Sequence, residues 1–213
     1  MPRKKVLILP NEPYHITARC LNKEWFCLPL DTVWSIMEDY LFLISAEFGV
    51  RLHAFVLMSN HFHLLSTAPN GNLSAALLYF MRETSKEITR LSGRINQTYG
   101  SRNHKTWITN YHYFMNTYKY IYQNPIRAKI CEKVEDYPYS SLYGLCGRTR
   151  LTIPVDENLL FNPSFDDSLI NWLNRPVDEQ QNREMQLALK HNEILFLADR
   201  RTGKRSCLVT ELL

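Results

Sequence analysis

His61-Phe62-His63 sets two imidazoles two residues apart within the run Phe55–Leu65. Apolar residues lie on both sides, and Met58-Ser59-Asn60 between them predicts two short strands joined by a turn. On a strand, residues i and i+2 point to the same face. His61 and His63 then project together while Phe62 projects the other way. Their rings sit about 6–7 Å apart along the strand, close enough to hold one metal ion. On a helix they would lie about 200° apart. Spacing alone equally admits a plainer reading, two surface histidines on a half-buried strand.

A second set of chemistry-bearing residues lies in Tyr111–Pro125, which reads as a helix crowded with tyrosine. Phe114, Tyr118 and Ile121 share one helical face, the expected buried one. Tyr120 lies roughly 100° from that face. Asn124 follows it at i+4, on the same side. The phenol can serve as a nucleophile and the amide oxygen as a metal ligand. Tyrosine is a weak nucleophile at its free pKa of about 10 and needs activation. A metal held by two histidines could polarise a phosphate instead. The competing reading is that these tyrosines pack the helix, as several must.

The elements that position these residues follow from pattern. Tyr14–Leu21 reads as a strand after Pro10 and Pro13. Leu30–Phe48 carries Val33, Trp34, Met37, Leu41, Ile44 and Phe48 at helical spacing, with Asp31 or Thr32 as N-cap and Gly49 as the stop. Arg51–Leu57 and His61–Ala68 form the hairpin. Leu73–Leu91 is a second helix and Gly93 lies just past it. Residues 93–110 are polar and basic, a loop or a short extra strand. Tyr111–Gln123 is the third helix. Tyr137–Gly144 reads as irregular. Strand, helix, strand, strand, helix and a late strand make an α+β fold, the ferredoxin-like split βαβ arrangement with an antiparallel sheet covered by helices. Residues 1–147 form that domain. Residues 148–213 form a C-terminal extension, loop-rich around Pro154, Pro163 and Pro176, with a possible helix at Glu179–Leu197 and a basic cluster at Arg200–Arg205.

Composition sets the outer limits. The 213 residues are 45% hydrophobic and 22% charged, ordinary for a soluble globular chain. No apolar stretch approaches the roughly 18 residues of a membrane span. The run Val6–Leu9 after the basic start is too short for a signal peptide, so a cytoplasmic location is expected. The five cysteines form no CxxC pair and read as reduced thiols, not a disulfide framework or a zinc knuckle. The net charge of +4 is uneven: residues 1–150 carry 18 basic against 11 acidic side chains, and residues 151–213 carry 7 against 10. Positive charge gathers where the histidine pair lies. A phosphate-bearing partner would account for that, as would a solvated surface.

Four stretches in this order resemble the REP-associated tyrosine transposases, a branch of the single-tyrosine HUH (IS200-like) enzymes. They are Pro10–Arg19, His53–Leu65 with its His-Phe-His, Tyr120-Ile-Tyr-Gln-Asn-Pro-Ile-Arg-Ala128, and Tyr137-Pro-Tyr-Ser-Ser141. A lone His-Phe-His is weak; the ordered set is specific, and it spans roughly residues 3–147. The resemblance implies a single-stranded DNA endonuclease and strand transferase of the transposase type, active in DNA transposition and recombination. It matches His61 and His63 to the metal-binding histidines, Asn124 to the third ligand, and Tyr120 to the nucleophile. It implies Mg²⁺ or Mn²⁺, although imidazole ligands alone favour zinc-like metals. It implies a partner of single-stranded DNA bearing a hairpin, with cleavage beside the REP hairpin and a 5′-phosphotyrosine intermediate. A monomer is favoured and a dimer is possible.

DNA capture is expected from basic residues. Arg82, Lys86 and Arg90 repeat along one face of the second helix, and Arg94, Arg102 and Lys105 extend the positive region. The helix stripe reads equally as a solvated face paired with Glu83 and Glu87. His104 and His112 are expected at the surface or facing DNA. Two other functions fit part of the pattern: a domesticated, non-catalytic DNA-binding protein, and a metal-dependent phosphohydrolase with no tyrosine step. Trp107-Ile-Thr109 departs from the more basic wording the resemblance leads one to expect, and residues 148–213 match nothing in it.

Overall fold

The computed structural model describes residues 8–156, 166–194, 203, 206–209 and 211–213. Four antiparallel strands, β1 (Pro13–Arg19), β2 (Arg51–Leu57), β3 (His61–Thr67) and β4 (His104–Trp107), lie in the order β2-β3-β1-β4. With α1 (Leu30–Phe48) and α2 (Leu73–Ser92) as the crossovers, this is the ferredoxin-like arrangement read from the pattern. The late strand, which sequence left as loop or strand, is only four residues long.

Alternation along each strand divides the sheet into two unlike faces. Ile16, Leu52, Phe55, Leu57, Phe62 and Leu64 pack under α1 and α2 in one apolar cluster. Helix α1 covers the predicted span and stops at Gly49, whose φ of 65° is the left-handed cap that glycine adopts without strain. Its N-cap is Pro29, not Asp31 or Thr32: the Asp31 carboxylate accepts from the next backbone N–H and is itself inside the first turn.

The other face carries α3 (Tyr111–Tyr122), started by Asn110, whose side chain accepts from the Tyr113 N–H at 3.0 Å. Strand β2 bulges here: Leu52 pairs with Ser66 and Ala54 with Leu65, so His53 is the extra residue. Both His53 and Ala54 therefore face α3, His53 through a ring contact with Phe114 at 5.6 Å.

Sequence periodicity gave α3 one buried face, whereas every residue from Phe114 to Tyr122 is buried. The C-terminal part covers the rest. Helices α6 (Asp167–Asn174) and α7 (Glu179–Ala188) and the segment around Leu208 join the α3 cluster. Asn116 holds that segment through the Leu208 and Glu211 carbonyls and the Leu213 N–H; Lys119 donates to the Leu213 carbonyl at 3.0 Å and lies 4.9 Å over the Trp172 ring. The possible helix at Glu179–Leu197 ends at Ala188, and the basic cluster lies largely outside the described residues. Residues 192–194 then pair with Trp107 and shield the β4 edge. The single turn α4 (Asn124–Arg127) follows α3, and the segment expected to be irregular holds a short helix, α5 (Ser141–Leu145), capped by Ser140. It is too short for periodicity to reveal. Cys20, Cys27, Cys131 and Cys146 are free thiols.

Candidate active site

The hairpin turn delivers His61. Met58 N–H donates to the His61 carbonyl at 2.8 Å, closing the turn. The register then pairs His61 with Arg19 and His63 with Thr17 across β1, and both histidines face α3 while Phe62 is fully buried under α2. The two imidazole centroids are 5.1 Å apart, nearly perpendicular.

Each histidine has its Nδ1 held. Asn60 Nδ2 donates to the Lys23 carbonyl at 2.8 Å, so its Oδ1 accepts from His61 Nδ1–H at 2.7 Å. That fixes the tautomer and leaves Nε2 of His61 as a lone pair. His63 Nδ1 meets Nε2 of His15 at 2.9 Å, with the two rings close to coplanar (17°) and their centroids 5.1 Å apart. Burial lowers the pKa of all three. It takes His15 to about 3 and His61 to about 4, and it places His63 well below its ordinary value, with His15, His61, Arg127 and Arg19 adding to the effect. The imidazoles are neutral at physiological pH, the form that ligates metals.

Tyr120 reaches this cluster from α3. Its ring meets His63 edge-on at 5.9 Å and His15 at 6.4 Å. Only 9% of it is exposed. Burial raises its pKa, and the guanidinium of Arg127, then Arg19, pulls it back. Arg127 stacks over the Tyr120 ring at 4.0 Å. The other tyrosines of the helix turn elsewhere. The Tyr122 hydroxyl shares a 2.9 Å hydrogen bond with Ser141, and Tyr118 packs between Phe114 and Tyr122.

Pro125 explains what Asn124 and Arg127 do at the end of α3. Proline has no N–H to satisfy the carbonyl four residues back. Asn124 Nδ2 takes that Ile121 carbonyl at 3.1 Å and the Tyr120 carbonyl at 3.0 Å, and Arg127 Nη2 also donates to the Tyr120 carbonyl at 2.7 Å. The amide nitrogen of Asn124 is thus spent on the helix end, and Oδ1 is what the residue has left for a cation. Among the described residues no hydrogen bond joins Asn124 to either histidine. Two neutral imidazoles with Nδ1 held, plus a carboxamide oxygen nearby in sequence to the phenol, are a donor set that fits one divalent ion.

The cations expected to grip DNA fall into two groups. Arg82 and Lys86 both pair with Glu83, and Arg90 pairs with Glu87, on the exposed side of α2. This helix covers the sheet face opposite the histidines, so the fold does not bring these three to the His–Tyr cluster. Arg94 pairs with Glu24 at 2.6 Å beside the loop that braces Asn60. Arg102 is exposed, and Lys105 donates to Asn103 Oδ1 at 2.7 Å; among the described residues neither pairs with a carboxylate. His104 is half-buried, its Nε2 meeting the carbonyls of Leu189 and His191 in the C-terminal part. His112 is half-buried on the first turn of α3.

His15, Asn60 and Arg127 were not singled out from sequence. One signal was available for His15: a lone histidine in a strand otherwise built for the core must find a polar partner.

No family model and no curated protein matches the sequence. Among solved structures, a REP-associated tyrosine transposase bound to a REP hairpin aligns with a TM-score of 0.58 and 20% identity, over 78% of this chain and 93% of that one. This chain has the fold of a REP-associated tyrosine transposase. The α+β sheet with helices on both faces is therefore shared with that transposase. No described helix is long and apolar enough to cross a membrane.

Proposed function

We propose that this chain is a metal-dependent single-stranded DNA endonuclease and strand transferase, acting beside DNA hairpins. The observation that carries the reading is the edge contact of Tyr120 with His63, which sets a phenol against a metal-ready histidine pair. The shared fold supports it, because the aligned transposase is bound to a REP hairpin.

In this reading His61 and His63, with Asn124 Oδ1, hold a Mg²⁺ or Mn²⁺ ion, which when bound neutralises charge on a DNA phosphate. The Tyr120 oxygen attacks phosphorus and forms a new P–O bond. The bond to the 3′ oxygen breaks, and that oxygen leaves as a 3′-hydroxyl after taking a proton. The 5′ phosphate stays on the enzyme as phosphotyrosine. One phosphodiester has replaced another, so a 3′-hydroxyl can reverse the step without ATP. Arg127, already against the phenol, stabilises the oxygen as its proton leaves, and burial of the ring keeps water from competing.

The test is incubation with hairpin DNA carrying a single-stranded flank, in Mg²⁺ or Mn²⁺. A slow-migrating protein–DNA adduct is expected from the native chain. Tyr120→Phe removes the adduct and keeps DNA binding. An adduct surviving in that variant would assign the chemistry to another tyrosine. Cleavage without any adduct, unchanged in the variant, would make the protein a phosphohydrolase. Binding with neither cleavage nor adduct would make it a DNA-binding protein alone.

A further inference from the structure

The two histidines of the pair are not held alike. Asn60 offers His61 an oxygen that can only accept, because its amide nitrogen is committed to the Lys23 carbonyl. The tautomer of His61 is thereby set by chemistry alone. His63 instead faces a second imidazole, which can accept or donate. Two arrangements satisfy that 2.9 Å contact. In one, His63 Nδ1–H donates to His15 Nε2, and His63 Nε2 is a lone pair. In the other, His15 donates, and His63 Nε2 carries the proton and can hold no metal.

Surroundings decide between them. His15 takes up Nδ1 of His63, so Nε2 is the nitrogen left to face the site. Arg127 and Arg19 both put positive potential on this histidine. A lone pair is favoured there and an N–H is not, because the N–H end of a neutral imidazole is its positive end. His15 is fixed in place against His63. It is 1% exposed, close to coplanar with His63 at 17°, and held in the middle of β1 by pairs to β3 and β4. In the accepting role the His15 proton sits on Nδ1, which is buried and has no hydrogen-bond partner among the described residues, so the arrangement is costly to the fold. An apolar residue would fill the same place without that cost, which is the sign of a residue kept for its acceptor.

We propose that His15 is a positioning residue that accepts the Nδ1 proton of His63 and so holds that histidine in its metal-ready tautomer. The inference rests on the nuclease reading only for the metal; the tautomer exists without it. Substituted metal supports of this kind lose about 10–100-fold in metal affinity.

Three variants and two readouts test it. His15→Phe keeps the ring and removes the acceptor, His15→Gln restores an acceptor near the Nε2 position, and His63→Ala removes the ligand. Long-range nitrogen–proton spectra of the metal-free protein should show His63 protonated on Nδ1 in the native chain and in His15→Gln. In His15→Phe that preference should be lost. Titration with Mn²⁺ alone, followed by paramagnetic resonance of the free ion, should give about 10–100-fold weaker binding in His15→Phe and near-native binding in His15→Gln. Thermal melting of both controls for folding. Native His63 protonated on Nε2, or native Mn²⁺ affinity in His15→Phe, would overturn the proposal. If His63→Ala binds Mn²⁺ as the native chain does, the metal site itself is wrong. The spectra then still judge His15 on the tautomer.

Discussion

The two faces of the sheet are built from the same strands and do opposite things. Under α1 and α2 lie Ile16, Phe55, Phe62 and Leu64, all fully buried and apolar. Under α3 lie His15, His53, His63 and Thr106, also buried and all polar. A face that needed only to be stable would not carry them, since each buried polar group must find a partner or cost about 1–3 kcal/mol. The α1–α2 face supplies stability, and that surplus lets the other face keep lone pairs, a phenol and a guanidinium in fixed places. Phe62 sits between His61 and His63 and belongs wholly to the first face, so a single tripeptide spans both roles.

The sharpest break between the faces is a pair of variants on either side of that tripeptide. Tyr120→Phe should abolish covalent attachment to DNA entirely while the melting temperature stays within a few degrees, since only one oxygen is lost. Phe62→Ala should do the reverse. It leaves every site residue in place but opens a cavity against Phe55, Phe80 and Tyr99. The expected loss is about 3–5 kcal/mol in denaturant unfolding. Adduct formation per folded molecule should survive below the new melting point. Equal effects of both variants on stability and on chemistry would mean the faces are not separable.

Legibility of the chain follows the same division. The α1–α2 face obeys simple periods, so its helices were read from spacing almost to the residue, Leu30–Phe48 against itself and Leu73–Leu91 against Leu73–Ser92. The α3 face was read in part. His61, His63 and Tyr120 stood out because their residue types carry chemistry. Their supports did not: Asn60 reads as a turn residue, His15 as a core histidine and Arg127 as a solvated cation until the partners are known. The C-terminal cover is legible only in part: the possible helix at Glu179–Leu197 starts where α7 starts, whereas its docking on α3 is not legible. Helix α6 is short, and the polar handles that seat Leu208–Leu213 on α3, Asn116 and Lys119, look like ordinary surface positions on a helix with one apolar face.

Acid should separate the faces more gently. Three buried histidines, His15, His53 and His63, and the half-buried His61 all have lowered pKa values, desolvation being the first cause in each. His53 stands apart from the site, bonded to the Thr67 hydroxyl at 2.9 Å with a pKa of about 3. For such a group the unfolded chain takes up a proton first. Its contribution is full above the unfolded value of about 6.5 and is lost as pH falls toward about 3, at about 1.4 kcal/mol per pH unit. His53→Gln, measured by denaturant unfolding from pH 7.5 to 4.5, should show a shallower acid slope by about that amount. An unchanged slope would mean His53 is already charged in the folded protein.

The smallest effect concerns where DNA lies relative to the two faces. Lys105 pairs with Ile16 in register and so points to the α1–α2 side of β4, while His104 and Thr106 point to the site side. DNA held by Arg102 and Lys105 must then run along the β4 side of the sheet to reach Tyr120. Burial lowers the Lys105 pKa and Arg102 adds to it, which a nearby phosphate would relieve. Neutralising both residues as glutamine should reduce the salt slope of DNA binding by about 1.4, at roughly 0.7 per phosphate on a single strand. The same change at Arg82 and Lys86 should move it less, because Glu83 already answers both charges. A larger change at Arg82 and Lys86 than at Arg102 and Lys105 would place the strand across α2 instead, and would make the apolar layer's outer surface part of the binding path.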